Sequence, residues 1–201
     1  RYYFVRPRSV TPCRSAPFME TFVRADVEAN AEEIAQKIKD GALFIHPTDT
    51  IYGLGCDATN SAAVQKLRAL KERPTNPFSV WVPSVDWIRK HCKITLKSEH
   101  WLQQLPGPYT LIVLLRDKKA IATEVIMNQK TIGVRYPDHW FGRIVELLGR
   151  PIVTTSVNKA DEPFLTELAQ LDPDIAREVD FAIDEGPKKS RPSKIVDVEK
   201  E

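Results

Sequence analysis

The sequence predicts an α/β fold, organised as one domain on a twisted, mixed sheet. Short apolar runs typical of strands alternate along the chain with segments of helical spacing. The length of 201 residues suits one domain with a sizeable core. A composition of 42% hydrophobic and 28% charged residues is that of an ordinary globular protein. No internal repeat or low-complexity tract interrupts the alternation.

The elements follow in order along the chain. DVEANAEEIAQKIKDG predicts a helix with one apolar face, which Asp26 can cap and Gly41 can end. ALFIH predicts a buried strand and PTDT the loop after it, and SAAVQKLRALKE returns to helical spacing. YTLIVLL predicts a strand that is too apolar to have an exposed face. Further strands are expected in FSVWV, TIGVRY, PIVTTS, DFAID and KIVDV, and further helices in VDWIRKHC, SEHWLQQL and HWFGRIVELLG.

The first 18 residues differ from the rest in charge. They carry four arginines and no acidic residue, so the total of +2 leaves −2 for residues 19–201, the predicted domain. Three interpretations of residues 1–18 stay open: a targeting leader, a basic arm, or sequence upstream of a start at Met19. The third is favoured because the chain does not begin with methionine. RYYFVRP also fits an edge strand, and we assign the segment no function.

Composition and spacing exclude several classes of protein. The near-neutral charge does not predict a nucleic-acid or membrane partner, and no apolar run approaches the length of a membrane span. The three cysteines are far apart and predict free thiols in a reducing compartment, hence a cytoplasmic protein. The four histidines lack metal-ligand spacing, so we predict no protein-held metal. The phosphate-loop, dinucleotide-binding, zinc-protease and hydrolase-elbow motifs are absent.

Polar clusters follow three of the predicted strands. They are residues 47–50 (PTDT), 154–158 (TTSVN) and 184–193 (DEGPKKSRPS). Any one of them alone is better interpreted as turn and cap residues. Ligands of α/β sheets bind outside strand ends, however, and glycine there allows close backbone approach. Three such loops in one chain therefore favour a binding site.

Two sets of polar and charged residues are candidates for binding anions. Lys71, Arg73 and Asn76 lie where a helix ends and a turn begins, a place where cations also stabilise the helix dipole. Arg73 precedes a proline, so its fork of donors stands beside a stiff turn that suits a phosphate. Arg135 lies in an apolar strand and needs a partner, either a protein carboxylate or a ligand carboxylate. The sequence leaves those two alternatives even.

Six motifs in this order resemble the YrdC/Sua5 family of L-threonylcarbamoyladenylate synthases. They are PTDTIYGLGCDA, KERPTNPFSV, PGPYT, TIGVRYP, PIVTTSVN and DEGPKKSRPSKIVDV, and they cover roughly residues 25–200. The resemblance implies a YrdC-like domain, with a twisted mixed sheet and helices around an open concave cavity. It also implies that L-threonine, bicarbonate or CO2, and ATP give threonylcarbamoyl-AMP and pyrophosphate. A partner transferase then moves the threonylcarbamoyl group to an adenosine of tRNA.

The residues suit this chemistry. A threonine carbamate and the α-phosphate of ATP are both anions, and fixed cations and N–H dipoles can offset their repulsion. Holding both reactants in place removes a further entropic cost, and no covalent nucleophile is needed. Magnesium is expected with ATP, held by phosphates and water rather than by a protein cage.

The resemblance also implies roles for individual residues. Thr50, Arg135, Thr154 and Ser193 would bind L-threonine, with Arg135 on its carboxylate and Tyr52 shaping the wall. Lys71 and Arg73 would hold phosphates as the catalytic cations. The implied ATP-binding residues are Lys71, Arg73, Asn76, Thr131, Ser156 and Asn158.

Some positions depart from the family pattern. Trp81 stands where some members have histidine, Glu185 lies in a DEGP that replaces a commoner Asp-Gly-Gly, and Lys194 replaces a threonine. A diverged paralogue that binds tRNA or rRNA without synthase activity is therefore an alternative. Related hydrogenase-maturation carbamoyltransferases carry further modules that this sequence lacks, and we rank that alternative low.

Overall fold

A computed structural model describes residues 19–159, 162–198 and 200, and the basic segment 1–18 lies outside them. The α/β class is confirmed, but the strands form two five-stranded mixed sheets instead of one. The strands are β1 (Glu20–Val23), β2 (Phe44–His46), β3 (Gly53–Gly55), β4 (Ser79–Trp81), β5 (Tyr109–Leu114), β6 (Thr131–Arg135), β7 (Ile152–Val153), β8 (Thr155–Ser156), β9 (Phe181–Asp184) and β10 (Lys194–Asp197). The helices are α1 (Arg24–Ala29), α2 (Ala31–Lys39), α3 (Ser61–Lys71), α4 (Val85–His91), α5 (Leu96–Leu102), α6 (Thr123–Ile126), α7 (Gly142–Leu148) and α8 (Pro173–Glu178).

The first sheet has the strand order β1-β9-β2-β3-β8 and the second the order β10-β5-β6-β4-β7. In the first sheet β1, β9 and β2 are parallel, while β3 runs antiparallel to both of its neighbours. In the second sheet β10 is parallel to β5 and β4 to β6, and the remaining pairs are antiparallel. Each sheet is therefore mixed, as the sequence predicted for the sheet as a whole.

The predicted strand PIVTTS is divided between the two sheets. Val153, at its start, pairs with Val80 of β4 in the second sheet. Thr155 pairs with Leu54 of β3 in the first sheet. Thr154 lies at the crossing, and its N–H donates to the Ser79 carbonyl at 2.9 Å. The chain thus passes from one sheet to the other beside a candidate site residue.

The first predicted helix is in fact two helices. Asn30 separates α1 from α2 with non-helical angles of φ −124° and ψ 35°. Asp26 is not the cap residue, because α1 begins earlier, after Val23. The Asp26 carboxylate instead accepts a hydrogen bond from the Val23 N–H at 3.0 Å. Gly41 lies just past the end of α2 with φ +95°, as a helix-terminating glycine does.

Two clusters of buried side chains form the core. The larger joins apolar residues of both sheets with residues of α3 to α6 and α8. The smaller packs α2 and α7 around Phe44, Trp81 and Phe181. None of the helices in the part of the chain that the structure describes is long and apolar enough to cross a membrane.

Candidate active site

A cavity of about 300 Å³ lies between the two sheets. The first sheet contributes Gly53 of β3 and the β8 residues, and the second contributes Ser79, Thr110 and Arg135. The β2–β3 loop and the segment before β10 complete the wall. All three polar loops that the sequence singled out meet here, since each one ends or begins a strand at this junction.

The PTDT loop presents a chain of hydroxyl groups to the cavity. The Thr48 hydroxyl donates to the Ile51 carbonyl at 2.7 Å and accepts from the Thr50 N–H at 3.0 Å. Because its hydrogen is used, the Thr50 hydroxyl donates to it across 3.0 Å. The Thr50 oxygen in turn accepts from Arg135 Nη2 at 3.2 Å. This arrangement orients Thr50 toward the arginine.

Arg135 is a buried cation whose partner is a protein carboxylate. It is 6% exposed, and its Nη2 donates to Asp49 Oδ1 at 2.9 Å. Burial lowers the pKa of Arg135, while the Asp49 carboxylate opposes that shift. Both acceptors lie on Nη2, and the buried Nε has no partner among the described residues. Nη1 makes no hydrogen bond among the described residues either, so it is the donor that Arg135 keeps for a ligand in the cavity.

A second cavity of about 250 Å³ adjoins the first and is lined by Lys71, Arg73, Asn76 and Asn158. Arg73 and Ser156 line both cavities. No carboxylate of the described residues lies within ion-pair distance of Lys71 or Arg73. Two unpaired cations beside a polar cavity suit a ligand with several negative charges.

Lys71 is 2% exposed and held only by neutral acceptors. Its ammonium donates to the Ser156 carbonyl at 2.5 Å and to Asn158 Oδ1 at 2.8 Å. Burial, together with the charge of Arg73, lowers the pKa of Lys71 to about 7. Lys71 is the last residue of α3, and the next residue, Glu72, adopts the left-handed conformation at φ 53°. The turn that follows carries Arg73 to the boundary of the two cavities.

The segment from Glu185 to Ser193 connects β9 of the first sheet to β10 of the second, and its last two residues line the first cavity. Glu185 accepts hydrogen bonds from His139, Trp140 and Lys188. Burial opposes ionisation of Glu185, but the bonds from Lys188, Trp140 and His139 outweigh it and lower its pKa to about 2. Lys188 also donates to the Thr48 carbonyl at 2.9 Å. The unusual Glu185 thus anchors this segment and does not itself line the cavity.

Tyr52 and Ser193 fix the same segment at its two ends. The Tyr52 hydroxyl donates to the Gly186 carbonyl at 2.7 Å and accepts from the Glu185 N–H at 2.9 Å. Burial raises the pKa of Tyr52 to about 12, so the group stays protonated. The Ser193 hydroxyl lies 2.7 Å from that of Thr110. Lys194, another departure from the family pattern, is exposed, and its ammonium lies 6.0 Å from the centre of the Trp101 ring.

The structure brings nine of the ten predicted site residues to the two cavities. Those of the first cavity are Thr50, Arg73, Arg135, Thr154, Ser156 and Ser193, and those of the second are Lys71, Arg73, Asn76, Ser156 and Asn158. Thr131 lines neither. It begins β6, four residues and about 13 Å along the strand from Arg135. Its role in ATP binding stays a prediction.

Sequence reasoning missed Thr110 and Asp49. Thr110 closes the motif PGPYT, which we interpreted as punctuation, and its side chain lines the cavity. Asp49 stands inside the PTDT motif between Thr48 and the predicted site residue Thr50. Its position between them was a signal, but nothing in the local pattern shows that it meets Arg135, 86 residues away.

Comparison with known proteins supports the motif-based resemblance. The Sua5/YciO/YrdC family model, described as "Telomere recombination", matches residues 36–201. A candidate threonylcarbamoyl-AMP synthase of Methanocaldococcus jannaschii is 32% identical over 171 residues, which are 84% of this chain and 80% of that protein. The threonylcarbamoyl-AMP synthase of Vibrio vulnificus is 25% identical over 181 residues, covering 86% and 96% of the two chains.

A solved structure agrees with these matches. P. abyssi Sua5, whose crystal structure holds L-threonine, is 26% identical with a TM-score of 0.76. The similarity covers 89% of this chain and 54% of that one, so Sua5 extends well beyond the domain described above.

Proposed function

The chain belongs to the Sua5/YciO/YrdC family, and we propose that it is a threonylcarbamoyl-AMP synthase. The reaction joins L-threonine, bicarbonate or CO2, and ATP to give threonylcarbamoyl-AMP and pyrophosphate. This class of enzyme is a nucleotidyltransferase, because the AMP group is transferred to the carbamate of threonine.

One observation carries the proposal. A buried arginine whose Nη1 makes no hydrogen bond among the described residues lines one cavity, two cations without a carboxylate partner line the next, and Arg73 and Ser156 are common to both. The first arrangement suits the carboxylate of an amino acid and the second suits a polyphosphate. Shared lining residues mean that the two ligands would meet at the boundary.

The chemistry needs two bond-forming steps. The neutral amine of threonine attacks CO2 and loses a proton, which gives an N-carboxylate. An oxygen of that carboxylate then attacks the α-phosphorus of ATP, and pyrophosphate leaves with the bonding electron pair. Both reactants of the second step are anions, so fixed positive charge between them lowers the barrier. Arg73 lines both cavities, which supports this role for it.

The remaining residues bind and orient the reactants. Arg135 would hold the threonine carboxylate, with Thr50, Thr154 and Ser193 around it. Lys71 would contact the phosphates, and Ser156 and Asn158 hold Lys71 in place through direct hydrogen bonds. Fixing both substrates removes the entropic cost of bringing them together.

Mg²⁺ would enter with ATP. The described residues contain no group of three His, Cys, Asp or Glu side chains able to hold a metal ion. Phosphate oxygens and water would therefore supply most of its ligands, which is the usual coordination of this ion.

The product would be the substrate of a partner transferase that modifies tRNA. We propose that this step takes place in the cytoplasm, because Cys56 and Cys92 are free thiols, as is usual in a reducing compartment. The segment after β9 carries Lys188, Lys189 and Arg191, basic residues that would favour the alternative of an RNA-binding module. Lys188 in that segment is paired with Glu185, which weakens it as a phosphate contact.

The first experiment is pyrophosphate release by the purified protein with ATP, Mg²⁺ and bicarbonate, with and without L-threonine. We expect release only when L-threonine is present. Folded protein that releases none would overturn the proposal. Salt-sensitive RNA binding by that same inactive protein would then support the RNA-binding alternative.

A further inference from the structure

Asp49 is the residue that holds Arg135 in the cavity wall. Its Oδ1 accepts from Arg135 Nη2 at 2.9 Å, and its Oδ2 accepts from the Asp138 N–H at 3.2 Å. The carboxylate thus connects the arginine to the backbone of the loop after β6. The side chains of Arg135 and Asp49 are 7% and 11% exposed, so water screens the pair weakly.

Asp49 touches Arg135 but does not line the cavity, whereas its neighbours Thr48 and Thr50 do. A ligand in the cavity would therefore meet the arginine and not the aspartate. The contacts with Asp49 and Thr50 use both hydrogens of Nη2, and Nε is buried without a partner among the described residues. Asp49 consequently fixes one nitrogen of the guanidinium and leaves Nη1 for a ligand.

We propose that Asp49 is a positioning residue that orients Arg135 for the carboxylate of L-threonine. The inference rests on the proposed function, which supplies L-threonine as the ligand. The guanidinium is planar, so the direction of the Nη1 hydrogens depends on its orientation, and a charged hydrogen bond from Nη1 to a ligand carboxylate needs that orientation fixed. Without Asp49 the fork can turn toward other acceptors, and recognition of the carboxylate is lost before recognition of the rest of the amino acid.

The test compares L-threonine with L-threoninol, the same molecule without the carboxylate, by calorimetry on wild type and on Asp49→Asn. Wild type should favour L-threonine strongly. In Asp49→Asn we expect that preference to fall by about tenfold or more, the scale of a hydrogen bond to a charged group, while ATP binding stays as in wild type. An unchanged preference would overturn the positioning role.

Asp138→Asn is the matched control. The substitution removes one carboxylate charge from a residue in contact with Asp49 and keeps the backbone N–H that donates to Asp49. The Asp138 side chain makes no hydrogen bond among the described residues. We expect this variant to bind both amino-acid ligands as wild type does. Equal loss of preference in both variants would indicate a general charge effect and would also overturn the proposal.

A second measurement keeps the proposal testable if Asp49→Asn does not fold. In a crystal structure of wild type with L-threonine, the Arg135–Asp49 contact should persist near 2.9 Å while the ligand carboxylate contacts Nη1. Displacement of Asp49 by the ligand would overturn the positioning role alone. Failure of wild type to bind L-threonine would instead overturn the proposed function, and this inference with it.

Discussion

Two buried cations, Arg135 and Lys71, define the site, and the protein stabilises them differently. Arg135 keeps its charge beside the carboxylate of Asp49, because an arginine stays protonated even when buried. Lys71 has only neutral acceptors, and its pKa falls to about 7. The first residue is thus a permanent cation, whereas the second gains much of its charge only when an anion is bound.

Arg135→Ala tests whether the first cavity binds L-threonine and the second binds ATP. We expect the variant to lose threonine-dependent pyrophosphate release and measurable binding of L-threonine, while ATP affinity changes less than threefold. The reason is that Arg135 lines only the first of the two cavities. Calorimetry with each ligand in turn checks this. Normal affinity for L-threonine in the variant would remove Arg135 from the substrate site.

The lowered pKa of Lys71 predicts proton uptake when ATP binds. At pH 7 the free amine is about half protonated, and phosphate anions beside it favour the charged form. Binding near pH 7 should therefore take up about half a proton at this residue, and affinity should weaken as the pH rises from 7 to 9. Calorimetry in buffers of different ionisation enthalpy measures the uptake.

Two variants isolate that contribution. Lys71→Met should lose the uptake together with much of the affinity for ATP. Lys66→Met changes an exposed lysine on the same helix and should retain both. If proton uptake is the same in wild type and in Lys71→Met, then Lys71 is not the titrating group.

At the scale of elements, β3 is the strand on which the geometry of the site depends. It is only Gly-Leu-Gly, yet it joins β2 to β8 in the first sheet. The His46 side chain packs over its glycines, so a Cβ on Gly53 would lie 2.5 Å from His46 Cε1. Glycine is required here for close packing rather than for an unusual backbone angle.

Gly55→Ala tests this requirement. The added Cβ would lie 2.6 Å from the Val153 carbonyl oxygen, a backbone atom that cannot move without disturbing the crossing at Thr154. We expect a loss of about 1–3 kcal/mol in the free energy of unfolding, the usual cost of overpacking. Urea unfolding measures it. In Gly142→Ala the nearest atom, Trp81 Cζ2, lies 3.7 Å away, so that control should be nearly neutral; equal effects in both would contradict the packing argument.

The elements that the sequence predicted are the ones whose own pattern is strong. The helix α3 and the strand β5 have long periodic or apolar runs, and both appear as expected. β3 was missed because two of its three residues are glycine, which has little preference for strands. Its place is set by the neighbouring strands. The division of PIVTTS between two sheets was missed for the same reason, since one apolar run does not reveal which partner each residue will take.

The site was predictable to a similar degree. The order of the motifs predicted that Lys71, Arg73 and Ser156 act at one site, although Ser156 lies in the other half of the chain. The structure places all three in the wall of the second cavity. The partner of Arg135 was undecided between a protein and a ligand carboxylate, and the answer, Asp49, needed the tertiary fold. The sequence shows that a buried charged side chain such as Arg135 needs a partner. Which residue becomes that partner depends on contacts between distant parts of the chain, which the local pattern does not reveal.

At the scale of the whole molecule, the two sheets are held together around His46 as well as around the cavity. His46 ends β2 of the first sheet, and its ring stacks on Phe141 and lies against Trp81 of the second sheet. It is completely buried, and burial lowers its pKa to about 3. The imidazole is therefore neutral in the folded protein and must remain so for the sheets to keep this packing.

This burial predicts a loss of stability on mild acidification. Unfolded histidine has a pKa near 6.5 and folded His46 one of about 3, so between these values the unfolded chain binds the extra proton and stability falls as the pH falls. From pH 6.5 to 5 the loss of stability from this group is about 1.6 kcal/mol, and it stops growing only below pH 3. Urea unfolding at several pH values measures the slope. His46→Leu should reduce the slope between pH 6.5 and 5 even if its stability at pH 7 is lower, and part of the remaining slope belongs to His139, whose pKa burial also lowers. His100→Ala, at an exposed position, should keep the wild-type slope. An undiminished slope in His46→Leu would assign the acid sensitivity to other groups and would show that the contact between the two sheets does not depend on the charge of this histidine.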